Sequence, residues 1–164
     1  MPWAKFDDKT IRNRKVRRVA RKSPPAALLW MFAIIYCCEQ MTDGEIEGDE
    51  LRELLPMHHE DYVRLLVAEQ MIHDKPGCDS PGCLANNGLP VEGTDMYVIH
   101  DFADSQMTAD QWLDLRANKA YAAHVRWHLT KPSDNCEHCK NGCTPDARCI
   151  AGACASARPP AMPT

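Results

Sequence analysis

DGEIEGDELRELLPMHHEDYVRLLVAEQMI, residues 43–72, decides how the rest of the chain is read. Leu51, Leu54 and Leu55 stand at i, i+3 and i+4 behind Gly48 and Asp49, and Pro56 closes the segment. This pattern predicts a short amphipathic helix with a cap in front. Tyr62, Leu65 and Leu66 repeat the spacing in a second helix running from His58 to about Met71. Two helices that share one apolar side across a tight break form a helix-turn-helix, whose second helix usually enters a DNA groove. Glu45-Ile46-Glu47 is short enough to be a small strand ahead of them. After Ile72 comes a Gly/Pro/Cys-rich loop, Lys75 to Asp95, and then Met96-Tyr97-Val98-Ile99-His100, which has the composition of a returning strand. That hairpin would be the wing of a winged helix-turn-helix, and the expected fold class is α+β.

Upstream, Ala26 to Cys38 is a run of thirteen apolar residues. Behind Arg17-Arg18 it has the outline of a signal peptide, but the run is bulky and aromatic, no small-x-small cleavage site follows, and Tyr36 stands where a lipoprotein signal needs a small residue. It is also shorter than the roughly 18 residues that span a bilayer. The expected structure is a buried first helix, with Ser23 as N-cap and Pro24 at the first helical position. Leu28, Phe32, Leu54, Leu66 and Ile99 are expected in one core. Downstream, Thr108-Ala109-Asp110-Gln111 matches a capping box and predicts a long helix that Pro132 stops. The domain reading is a winged helix-turn-helix over residues 3–104, a C-terminal helix over 105–131, a Cys-rich segment over 132–154, and a disordered tail over 155–164.

The chain has 164 residues and a formal net charge of −4, unevenly spread. Residues 1–25 carry nine Lys/Arg against Asp7 and Asp8, a formal +7, so the remainder carries −11. A basic arm on an acidic body suits contact with nucleic acid or another anionic surface, and equally a solvated basic helix.

The chain resembles the helix-turn-helix DNA-binding proteins of bacteriophages that infect actinobacteria, some of them similar to replication-initiator N-terminal domains. The resemblance lies in Trp3-x-x-Phe6-Asp7-Asp8, Lys15-Val16, Tyr36-Cys37, Thr42-Asp43-Gly44, Ile99-His100-Asp101-Phe102, and Arg126-Trp127-His128 followed by Cys-x-x-Cys. It covers residues 3 to about 139. It implies a winged helix acting in the cytoplasm of the infected cell, in gene regulation or replication initiation, and without enzymatic activity.

On this reading the partner is double-stranded DNA, with host or phage proteins as further candidates and no membrane. The candidate DNA contacts are Lys9, Arg12, Arg14, Lys15, Arg17, Arg18, His58, His59 and Arg64, with Gln70 beside them. One feature opposes it: eight acidic residues lie between Asp43 and Asp61 against one Arg, so carboxylates on the second helix would face phosphates. Affinity would then come mainly from the arm. The rival class is a non-catalytic protein-interaction adaptor on the same fold, and a third is an exported disulfide-containing protein. No Gly-rich phosphate loop, nucleophile elbow or His-Glu-x-x-His pattern points to an enzyme.

Nine cysteines, an odd number, exclude complete pairing as disulfides within one chain. Cys37 and Cys38, inside the apolar run, are expected as buried thiols. His124 and His128 lie four apart on the expected C-terminal helix, and Cys136-x-x-Cys139 follows a proline-marked turn. Together they make a candidate structural zinc site of two imidazoles and two thiolates. A second cluster is Cys78-x4-Cys83 in the wing with His73, open to metal, a disulfide or neither. His100 is expected to pack or hydrogen-bond at the end of its strand.

Overall fold

The computed structural model describes residues 4–127 and Lys140, and the chain divides into two compact units after Ala109. In the first unit the segments Arg14–Lys22, Glu45–Glu47, Gly48–Leu54 and His59–Ala68 pack against helix α3 (Pro24–Gln40). Its start follows the capping logic: the Ser23 hydroxyl accepts from the Ala26 N–H at 3.3 Å, and proline occupies the first position. Met41, in the left-handed region at φ 57°, ends it. At Gly44 φ is +98°, and an added Cβ would lie 2.7 Å from Phe102, so the turn into the sheet requires glycine.

The basic arm is helical and lies against α3. Helix α1 (Asp8–Arg12) is capped by Asp7, and α2 (Arg14–Lys22) by Asn13, whose side chain accepts from the Lys15 N–H. Val19 of α2 is fully buried in the shared core. After α3 come β1 (Glu45–Glu47), α4 (Gly48–Leu54), α5 (His59–Ala68) and β2 (Ile72–His73). A loop with one 3₁₀ turn (Leu84–Asn87) leads to β3 (Met96–Ile99) and α6 (Phe102–Ser105). The α+β class read from the sequence is what forms, mostly helical with one small sheet.

The sheet is antiparallel throughout, in the order β1-β3-β2, with Ile46 opposite Tyr97, Ile72 opposite Ile99 and His73 opposite Val98. Successive strand residues point to opposite faces, and directly paired residues share a face. Ile72 and Ile99 therefore point to one side, where they join Leu29, Ala33, Ile34, Cys37, Leu51, Leu66 and Phe102 in the core. His73 and Val98 point to the other side, as does the position two residues beyond Val98, which is His100.

Two of the expected core residues lie elsewhere. Leu28 is 41% and Phe32 36% exposed, while Leu29, Ala33 and Cys37 of the same helix are fully buried. A helix that is apolar all round has no polar face to mark its outside, so composition alone does not orient it. Leu66 and Ile99 are buried as expected, and Leu54 is partly so.

Gln106 anchors the N-terminal segment. Its Oε1 accepts from the Lys5 N–H at 2.7 Å and its Nε2 donates to the Lys5 carbonyl at 2.9 Å, while Phe6 meets Trp30 edge to face. Helix α7 (Ala109–Trp127) begins where the capping pattern put it; its first N–H donates to Asp43 Oδ1 at 2.6 Å. Within α7 the Arg116 guanidinium sits 5.9 Å from the Trp112 ring centre. The Cys-rich segment and the tail expected from the sequence lie outside the described residues, Lys140 excepted. Among the described residues, no helix is long and apolar enough to cross a membrane.

Candidate metal centre

His73, Cys78, Cys83 and His100 each offer one ligand atom, and these atoms all lie within 4.8 Å of one another. The sheet supplies the two imidazoles. His73 ends β2, His100 follows β3, and the register puts both on the face turned away from the helices. The His100 N–H donates to the Met71 carbonyl at 3.1 Å, which extends the strand pairing to the site itself.

The loop supplies the two sulfurs. Gly77, at φ +116°, turns the chain so that the N–H groups of Gly77 and Cys78 both reach the Ala85 carbonyl, at 2.8 and 3.3 Å. A second turn closes where the Cys83 N–H donates to the Ser80 carbonyl at 3.1 Å. Between them the Ser80 N–H donates to Cys78 Sγ at 3.4 Å, an arrangement that favours a thiolate. Cys83 is fully buried, and the other three are half-buried.

His73 Nε2 and His100 Nδ1 are 2.9 Å apart, and Cys78 Sγ is 3.5 Å from His100 Nδ1. A tetrahedral ion with bonds of about 2.0 Å to nitrogen and about 2.3 Å to sulfur holds its ligand atoms roughly 3.3–3.8 Å apart. The Cys78–His100 separation already falls in that range, and the two imidazoles would open by a few tenths of an ångström to enter it.

The protonation chemistry fits a ligand set. Burial, with the charges of His100 and Lys15 nearby, lowers the pKa of His73, and burial with Lys15 does the same to His100. Both rings are thus held neutral, the form that ligates. Burial pushes the Cys78 thiol up, against the Ser80 N–H and together with the adjacent Cys83. An ion binding here would displace the thiol protons. Cys37 and Cys38 are buried thiols, as expected, with Cys37 pushed up to about 12 by burial.

Three of these residues were visible in the sequence as the second cluster, and His100 was not among them. His124, from the first cluster, is buried on α7, and its proposed partners His128, Cys136 and Cys139 lie outside the described residues. Of the candidate DNA contacts, Lys9, Arg12, Arg14 and Arg17 are exposed on α1 and α2. Lys15 Nζ donates to the Gln70 carbonyl at 3.1 Å, and Arg18 Nη1 lies 2.8 Å from Glu69 Oε2. His58 is exposed with its ring against Tyr62, His59 is buried, and Arg64 is exposed beside Asp61 at 3.3 Å.

Comparison with known proteins finds no family model, no curated protein and no solved structure that matches this chain.

Proposed function

We propose that residues 3–104 are a winged helix-turn-helix, with α4 and α5 as the helix pair and the hairpin around the Lys75–Asp95 loop as the wing, and that this module binds double-stranded DNA. The order helix, strand, two helices and hairpin, with β3 between β1 and β2, supports the fold reading. The observation that carries DNA binding is a row of exposed arginines on α2. Lys15, Arg18 and Lys22 of that helix turn toward Glu69 and Gln70 at the end of α5. Arg14, Arg17 and Arg21 remain, spaced i, i+3 and i+7 on its outer side and exposed. Three guanidiniums in a row beside the helix pair suit a run of phosphates.

Zinc is the ion proposed for the Cys/His cluster. Two thiolates and two imidazoles are its preferred structural set, and four protein ligands leave no position for a reacting water, so the centre holds structure and does no catalysis. The setting, phage gene regulation or replication initiation in the host cytoplasm, rests on the family resemblance.

Gel-shift titration against double-stranded DNA at several salt concentrations tests the reading. Changing Arg14, Arg17 and Arg21 together to Gln should lower the slope of log affinity on log salt by about three units, close to one per lost phosphate contact. An unchanged slope rejects the row as the anchor.

A second reading, a protein-interaction adaptor, is favoured by the acidic surface of α4 and α5. Arg52 is engaged by Asp49 and Asp95, and Arg64 by Asp61, so neither cation there stands alone. The fitting partner would carry a basic surface, and no DNA binding at any salt would point to it.

A further inference from the structure

We infer that Asp101 is an outer carboxylate of the metal centre, a positioning residue that holds the His100 ring with its proton on Nε2 and so turns Nδ1 toward the ion. The inference rests on the metal reading of the Cys/His cluster and adds a fifth residue to it.

The two nitrogens of His100 have separate partners. Nδ1 faces His73 at 2.9 Å and Cys78 at 3.5 Å, while Nε2 lies 3.0 Å from Asp101 Oδ2. The Asp101 charge beside Nε2 favours a proton on that nitrogen and leaves the lone pair to Nδ1. Ligating imidazoles commonly donate their other N–H to a carboxylate, which sets the tautomer and ring orientation and makes the ligand more basic. Asp101 stands at ion-pair distance from Nε2, where a small turn of the ring or carboxylate would form that bond.

Local structure does not account for the Asp101 side chain. The residue stands at the N-cap of α6, where an aspartate normally accepts from a backbone N–H, yet its side chain makes no capping hydrogen bond. It also adopts a left-handed backbone, φ 50° and ψ 38°. Forgoing the cap is unfavourable, and so is a left-handed conformation in a residue with a Cβ. Both follow if the carboxylate must lie under His100. Its second oxygen, Oδ1, is buried with no hydrogen-bond partner among the described residues, and Oδ2 is the oxygen turned to His100. Charge points the same way. Two thiolates neutralise a divalent ion, and the ring that the ion polarises becomes a stronger donor to a neighbouring anion.

The test uses the full-length protein with Zn(II) and Co(II) alone as probes. Metal affinity is read by competition with a chromophoric chelator, the ligand set by the thiolate-to-Co(II) absorption, and metal-free folding by circular dichroism. Asp101→Gly removes the carboxylate and relieves the left-handed backbone. It should bind metal roughly 10–100-fold more weakly, while its thiolate absorption is kept and its metal-free form folds at least as well as wild type. Asp101→Asn, which keeps an acceptor without the charge, should fall between.

Unchanged affinity in both variants, with wild type binding metal, overturns the role of Asp101 and leaves the four-residue centre standing. Affinity that falls only in step with loss of metal-free structure also overturns it. No metal on wild type, or undiminished binding by Cys83→Ser, removes the centre itself and Asp101's role with it.

Discussion

Ile72 and Ile99 on one face of the sheet, and His73 and His100 on the other, are neighbours in sequence but belong to two differently built regions. The helix side buries a continuous apolar core contributed by α2, α3, α4, α5 and the strands. The loop side buries Val98 of β3 and, from a 22-residue loop that is neither helix nor strand apart from one 3₁₀ turn, the small groups Cys83, Ala85 and Pro90. On the second side four groups able to ligate a metal converge beside these few apolar residues. The contrast teaches that the two faces of one small sheet can be finished differently, one by an apolar core and the other by a cluster of groups able to hold a metal.

The largest effect expected from breaking the contrast is on the helix side. Leu66 is fully buried, and Leu66→Ala should cost about 2–5 kcal/mol in chemical denaturation, with metal content per folded molecule unchanged. A cost well below that range would mean that the helix side is not held by packing.

Metal removal comes next. Wild-type protein purified under reducing conditions should carry about one zinc held by the cluster, lost in Cys83→Ser. Stripping the ion should expose the amides of Gly77, Cys78 and Cys83 to hydrogen exchange while those of α3 and α5 stay protected. Equal loss of protection on both sides would merge the two regions into one cooperative unit.

A smaller effect concerns the docking of α2. Lys22 first, and Arg18 after it, hold the Glu69 carboxyl below its ordinary pKa of 4.5. A depressed carboxylate pKa contributes stability that is present above the ordinary value and is lost as pH falls through the folded one. Glu69→Gln should therefore be less stable than wild type at neutral pH, and the two thermal midpoints should converge in acid. A difference that persists unchanged at acid pH would break this account of the docking.

The smallest effect separates the two sides of α3. Leu28→Gln, on the exposed side, should change stability by no more than about 0.5 kcal/mol, and a large loss would show that this side is covered.

The capped start of α3, the α4–α5 pair and the returning strand were legible because each is written locally: Ser23-Pro24, the leucine spacing behind Asp49, and the β-branched run at Val98. The outside of α3 was not, since thirteen apolar residues in succession carry no phase. The candidate metal centre was half legible. His73, Cys78 and Cys83 lie within eleven residues of one another, but His100 joins them only through the pairing of β2 with β3, and it stands 27 positions from His73. Strand register across a long loop is decided by tertiary packing, which residue spacing does not show. Asp101 was hidden more deeply, because it looks like an ordinary helix cap. Local spacing drew attention instead to His124, His128, Cys136 and Cys139, of which only His124 is described.

The Gln106 amide grips the main chain of Lys5 through both its N–H and its carbonyl, and it touches nothing that distinguishes lysine from another residue. Position 5 is consequently tolerant of almost any side chain while remaining closed to proline, which has no N–H to give. At position 106 the tolerance is reversed. Glutamate would keep the acceptor and lose the donor, so the identity of the N-terminal anchor is stored a hundred residues downstream of the segment it holds.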